Sequence, residues 1–516
     1  MAFELNRRSF LATGTAGAAL IGLPGTLRAQ ESTPKVGGSL RIGHSGGATS
    51  DTLDPATFAA GPVVTAMLAI CNNLMEIDEE GQAIPELAQS FEPSADAKTW
   101  TATLRPDAVF SNGQKLRAAD VIASYNHHRG EETKSGAKDL LKQIAEMRAD
   151  GDGTVVFELT GPNADFPFVA ADYHLVIQPD QGDGTIDWAN PVGTGGYVLE
   201  DHEPGVRLNL RRRDDYWKAD RAWFEDVELR TINDPTARQN ALVTGEVDAI
   251  NGVDTKTVHL LSRRPGIQLI ETVSSSHFPM PMMCDTAPFD DNNVRMALKH
   301  AINREELVEK VLRGHGAVGN DQPIGPAYRF HDPDLEQRVY DPDRARHYLK
   351  EAGQENLKVT LHTSNAPHSG GVDMAILFKE HAAAAGIEID VRREPEDGYW
   401  SNVWLKKPFC QSYWNGRPTA DWMFTMVYAA GAEWNESRWT NERFNELLLQ
   451  ARAELDQGKR AEMYAEMQRI VRDDSGEIIP MFGNFIDGAN DKVAHGKVAP
   501  NRFLDGWKCV ERWWAA

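Results

Sequence analysis

Apolar and polar positions along this chain follow two periods, and the periods take turns. Alternating or β-branched runs predict strands over residues 39–42, 100–104, 155–159, 206–210, 227–232, 247–250, 359–362 and 387–391. Spacing of three and four predicts helices over 63–74, 118–127 and 236–244, the last closed by Gly245. A stronger helical stripe carries Val294, Ala297, Leu298, Ala301 and Ile302, resumes at Leu307 and Val311, and stops at Gly314. Further helices are predicted over 343–352, 372–385, 444–455 and 459–473. Strands and helices interleave throughout, so the fold class is α/β with mixed α+β sheets and more than one lobe.

Length and charge narrow the picture. At roughly 150 residues per domain, 516 residues make two to four folding units. The 76 Asp and Glu outnumber the 54 Lys and Arg, giving a net charge of −22, which excludes the basic surface that nucleic acid or anionic lipid requires. Cys71, Cys284, Cys410 and Cys509 are scattered, forming neither a disulfide framework nor a zinc motif. Whether Cys284 and Cys410 pair stays open at this level.

The amino terminus indicates a compartment. Asn6-Arg7-Arg8-Ser9-Phe10-Leu11 is a twin-arginine export pattern, and the mildly apolar stretch over 11–23 is too short to span a bilayer. Ala29 ends the segment, so residues 1–29 read as a signal peptide. With no cysteine beside the cleavage point, the mature protein is expected free in the periplasm.

Three patterns suggest chemistry. Gly43-His44-Ser45-Gly46-Gly47 matches the G-x-S-x-G spacing of a hydrolase elbow, with Ser45 as nucleophile, but residues 48–55 do not read as the helix that such an elbow needs. His127-His128 and Met280-Pro281-Met282-Met283 lack the spacing of a metal site, and no cofactor motif appears. The third pattern is a concentration of tryptophan. Six of thirteen lie at Trp400, Trp404, Trp414, Trp422, Trp434 and Trp439, with Arg417 and Asp421 among them. Rigid aromatic surface with embedded charge suits a ligand-lined cleft.

Ordered blocks then carry a family resemblance. They include Leu53-Asp54-Pro55, Pro85-Glu86-Leu87-Ala88, Phe110-Ser111-Asn112-Gly113, Pro191-Val192-Gly193-Thr194-Gly195-Gly196-Tyr197 and Asp215-Tyr216-Trp217. Gly245-Glu246-Val247-Asp248, Pro288-Phe289-Asp290-Asp291, Ala301-Ile302-Asn303-Arg304 and Tyr340-Asp341-Pro342 follow. The chain resembles the extracytoplasmic solute-binding proteins of ABC importers, of the peptide/nickel/opine type (family 5). The resemblance implies a large class II periplasmic binding fold. Its first lobe comprises residues 30–58, 188–275 and 486–516, with an extra subdomain over 59–187, and its second lobe comprises 276–485. It also implies a monomer without catalytic residues or cofactor, which captures a peptide or peptide-like solute and hands it to permease subunits in the inner membrane.

One departure bears on the solute. Where peptide-binding members place an acid for the ligand's ammonium group, after the strand tryptophan, this chain has Arg417, with Asp421 four residues on. A guanidinium suits a carboxylate and repels an ammonium, so an opine or other carboxylate-bearing solute is the alternative to a peptide; a nickel complex is another. The expected ligand contacts are Trp414 as a stacking wall, Arg417 as an anion fork and Asp421 as a cation partner, with Trp400, Trp434 and His44 as further candidates.

Overall fold

The computed structural model describes residues 33–516, so the signal segment expected over 1–29 lies outside the described residues. An eight-stranded sheet organises the first lobe. From one edge it runs Ile267–His277, Met481–Asn490, Ala249–Ile250, Ser39–His44, Asp226–Thr231, Arg207–Arg212 and Tyr197–Glu203, while Gly316–Val318 adds to Met481–Asn490. Ser39–His44 pairs in parallel with both Asp226–Thr231 and Ala249–Ile250. Leu40, Ile42, Val227 and Leu229 share one buried core with the helix Gly61–Ile70. Pro62 stands in its first turn, where a fixed φ and a missing N–H suit the position. It ends sooner than the apolar pattern predicts, because the side chains of Asn72 and Asn73 turn to Glu86 and to the Asp172 carbonyl.

A separate antiparallel sheet, in the order Ala88–Pro93, Thr99–Leu104, Thr154–Leu159 and Ile144–Ala149, has its own aromatic core of Phe91, Trp100, Phe157 and Phe166. Two further cores lie beyond the hinge strands. One packs the helices Asn292–His300 and Gly371–Ala383 on the parallel pair Lys358–Thr363 and Glu388–Arg393. The other gathers Trp414, Phe424, Trp439, Phe444 and Tyr464. The helical stripe of 294–311 is two helices, since Asn303 caps Arg304–Lys310 by accepting the Glu306 N–H.

The longest strands, Ile267–His277 and Met481–Asn490, run antiparallel from the first core toward the second. Their register breaks between Thr272 and Ser276, where Ser274 Oγ donates to the Gly483 carbonyl at 2.6 Å. A bulge in a long ladder that joins two cores is a natural place to bend. No helix among the described residues is long and apolar enough to cross a membrane. All four cysteines are free thiols.

Candidate functional site

A recess lined by polar and aromatic side chains opens where these parts meet. Asn73, Asp172, Tyr173, Arg502 and Trp507 line it from one side. Tyr328, Arg329 and Arg417 line it from the other, and Ser275 of the hinge strand stands between them.

Arg417 enters on the turn after Trp414. Its backbone N–H donates to Tyr328 Oη at 2.9 Å, and its guanidinium lies 5.4 Å from the centre of the Trp414 ring. Nη1 donates to the Asn415 carbonyl at 3.1 Å, and Nε points at the Met426 sulfur. No carboxylate among the described residues pairs with it. Burial, and to a smaller degree the Arg502 cation, push its pKa below the ordinary value; a guanidinium stays charged regardless. The Trp414 ring beneath is fixed in turn, because its indole N–H donates to Glu436 at 2.8 Å and the same buried carboxyl accepts from Trp404. The turn itself needs a glycine, since a Cβ on Gly416 would sit 1.5 Å from Ser275 Oγ.

The opposite wall is built similarly. Arg502 lies 5.2 Å from the Trp507 ring centre, and Tyr173 meets that ring edge-on at 5.4 Å. Leu504, Asp505, Gly506 and Trp507 all have positive φ, between 50° and 68°. Three non-glycine residues in that region cost about 1–2 kcal/mol each, so the turn persists only because its surroundings enforce it. Asp487 accepts the Leu504 N–H, while Asp505 accepts the Ala499 N–H and pairs with Arg512. Burial pushes the Tyr173 and Tyr328 hydroxyls up to about 12, leaving both as neutral hydrogen-bonding groups.

Of the six residues singled out in the sequence, Arg417 lines this cavity and Trp414 lies under it. Asp421 pairs with Arg452 at 3.1 Å, and with Trp434 it borders a neighbouring groove that meets the cavity at Phe168. Trp400 is half-exposed and packs on Trp404 and Tyr413. His44 is buried away from the cleft against Gly61, with Nδ1 2.8 Å from the Ser45 carbonyl, and burial lowers its pKa to about 4. Ser45 Oγ accepts from Asn251, and the next helix begins only at Gly61, so the strand–turn–helix of a nucleophile elbow is not formed here. Tyr173, Arg502 and Trp507 escaped the sequence reading because they come from separate loops without periodicity.

At the cavity floor, Glu76, Glu86 and Glu511 bring carboxylate oxygens close enough to hold a metal ion. Two ammonium groups already fill that place. Lys508 Nζ reaches Glu76 at 2.7 Å and Glu86 at 2.6 Å, and Lys218 Nζ reaches Glu86 and Glu511 at 2.7 Å each. Among the described residues the cavity lining includes no histidine or cysteine, the usual ligands for nickel.

Two cores joined by a bent strand pair, with a polar and aromatic cavity between them, define a two-lobed binding protein. The chain belongs to the bacterial extracellular solute-binding proteins, family 5, whose middle-region model matches residues 82–436. It is 25% identical over 470 residues to the dipeptide-binding protein of Escherichia coli K12, an alignment covering 83% of this chain and 86% of that one. HbpA2 from Haemophilus parasuis shares the fold at a TM-score of 0.81 and 21% identity, over 90% of this chain and 97% of that one. The binding protein AgaA of A. tumefaciens R10, solved with agropinic acid, does so at a TM-score of 0.72 and 24% identity, over 93% and 99% of the two chains. The fold is thus the two-lobed periplasmic binding type, and the role is extracytoplasmic substrate binding for an ABC transporter.

Proposed function

We propose that this protein is a monomeric periplasmic receptor, exported by the twin-arginine route, that captures a carboxylate-bearing organic solute between its lobes. The first lobe is taken as residues 30–58, 188–275 and 486–516 with the subdomain 59–187, and the second as 276–485. The observation that carries the reading is the Arg417 guanidinium, lodged in the cavity without a carboxylate partner among the described residues. An uncompensated cation in a recess is costly unless an anion completes it. The named relatives bind a dipeptide and agropinic acid, and the arginine favours the acidic kind over a ligand led by a free ammonium group. No bond is broken in this cycle. An open form captures the solute, the bulged strand pair bends, and the closed form docks on the permease.

Native mass spectrometry of protein isolated from periplasm, followed by calorimetry with the released compound, tests the reading. A bound organic acid whose affinity falls on Arg417→Ala supports it. A cationic ligand, or an affinity indifferent to that change, overturns it.

A further inference from the structure

The carboxylate reading accounts for one guanidinium, but the cavity holds a second on the facing wall. Arg502 is stacked on Trp507 as Arg417 is stacked on Trp414, and neither pairs with a carboxylate among the described residues. The two come from opposite sides of the bent strand pair, one from the second lobe and one from the C-terminal segment that packs on the first-lobe core.

The neighbouring groups leave Arg502's donors free. Asp172 feels the Arg502 charge, but its Oδ1 is engaged by His174 Nδ1 at 2.7 Å. Glu76 is taken by Lys508 and Lys218. Arg329 adds a third cation at the rim, stacked over Phe330 at 5.0 Å. Phenolic hydroxyls of Tyr173 and Tyr328 complete the lining, and these can donate to acceptor oxygens. Arg502 also sits at the entry to the run of four left-handed residues that carries Trp507. Strain retained in that turn holds a cationic platform in the cavity, where an ordinary helical turn would not.

We propose that the solute carries two acidic groups, one received by Arg417 from the second lobe and the other by Arg502 from the first, so that an anion at each end lets the lobes close. This rests on the carboxylate reading above and extends it to the number of charges. Closing the lobes without ligand brings two like charges into a space of low dielectric, which opposes closure. A monoanion offsets that repulsion but leaves one guanidinium without its own counter-ion, whereas a dianion pairs both. Selectivity for the diacid is therefore built into the closing motion, beyond the contacts made in either lobe.

The test reads the distance across the cleft by paired labels at the exposed positions Val206 and Leu449, in ligand-free full-length protein. Wild type, Arg502→Gln, Arg502→Lys and Arg417→Gln are compared at low and high salt, and then titrated with the dicarboxylates succinate, glutarate and adipate against acetate and butyrate at equal ionic strength. We expect Arg502→Gln to move the ligand-free population toward closure and to flatten its salt dependence. At least one dicarboxylate should close wild type at roughly ten-fold lower concentration than the monocarboxylates, a preference lost in Arg502→Gln and only partly kept in Arg502→Lys. If Arg502→Gln leaves both the ligand-free distance and its salt response unchanged, or if mono- and dicarboxylates close wild type equally, the paired-charge proposal is overturned while Arg417 keeps its role. If no acid closes wild type and Arg417→Gln behaves like wild type, the underlying carboxylate reading falls with it.

Discussion

Arg460 reaches out of the second lobe to meet the carboxylate of Asp165 at 2.7 Å, and both side chains are buried at the junction with the four-stranded subdomain. Beside them the Ala164 N–H donates to the Arg452 carbonyl at 2.8 Å. Separating the two cores would break the contact, so we expect it to act as a latch on the closed form. Breaking a buried pair by removing one partner costs about 3–5 kcal/mol, because the survivor is left uncompensated. Asp165→Ala should therefore favour the open form, raise the radius of gyration of ligand-saturated protein in solution scattering, and speed ligand release in stopped flow. An unchanged dissociation rate would show that the pair does not report on closure.

Arg417→Ala should cost about 2–3 kcal/mol of binding, roughly 30- to 150-fold in Kd, since it removes the charge-assisted fork from a recessed site. Arg417→Lys should recover only part, because an ammonium cannot repeat the bidentate geometry. Titration calorimetry with the co-purified solute reads both.

The glycine before it is equally exposed to test. A methyl group at Gly416 collides with Ser275 Oγ, so Gly416→Ala must displace the turn that carries Arg417. We expect a loss of affinity of ten-fold or more with little change in thermal stability, about 1 Å of misplacement being enough to weaken a positioned contact. Adding Ser275→Gly clears the collision and should restore binding. A double variant no better than the single one would place the fault elsewhere.

Acid should weaken the fold through His277. This side chain is fully buried in the hinge strand, with Nδ1 3.0 Å from the Ser275 carbonyl, and burial lowers its pKa to about 4 from an unfolded value near 6.5. Between those values the unfolded chain binds the extra proton, so stability rises with pH there and is lost as pH falls from 6.5 toward 4. The loss attributable to this one group is about 3 kcal/mol. Wild type should lose that much more than His277→Gln between pH 7 and pH 4 in urea titrations. Equal losses would mean that the imidazole titrates freely in the native state.

Much of the fold was legible in the chain because amphipathic spacing reports on a single buried face. The helix Asn292–His300 and the strands Thr99–Leu104 and Lys358–Thr363 have such faces, and each stands near where its pattern places it. Met481–Asn490 has no such face. It is buried almost throughout and contains Gly483 and Gly488, so neither alternation nor β-branched enrichment marks it. The site divides in the same way. Arg417 stood out beside a tryptophan within one short turn, whereas Arg502 lines the cavity beside a left-handed turn held by Asp487, more than ten residues away, and by Asp505. His44 sits at the end of a strand that looked exposed at a loop, yet the approach of Gly61 covers it.

The charged knot under the cavity has a consequence for the order in which the protein is made. Glu76 and Glu86 come early, and the ammonium of Lys508, 422 residues after Glu86, lies against both. Until that lysine leaves the ribosome, two acids in the emerging subdomain lack one of their counter-ions and the recess above them lacks its floor. A binding-competent cleft therefore waits on Lys508, far along the chain from the acids it meets.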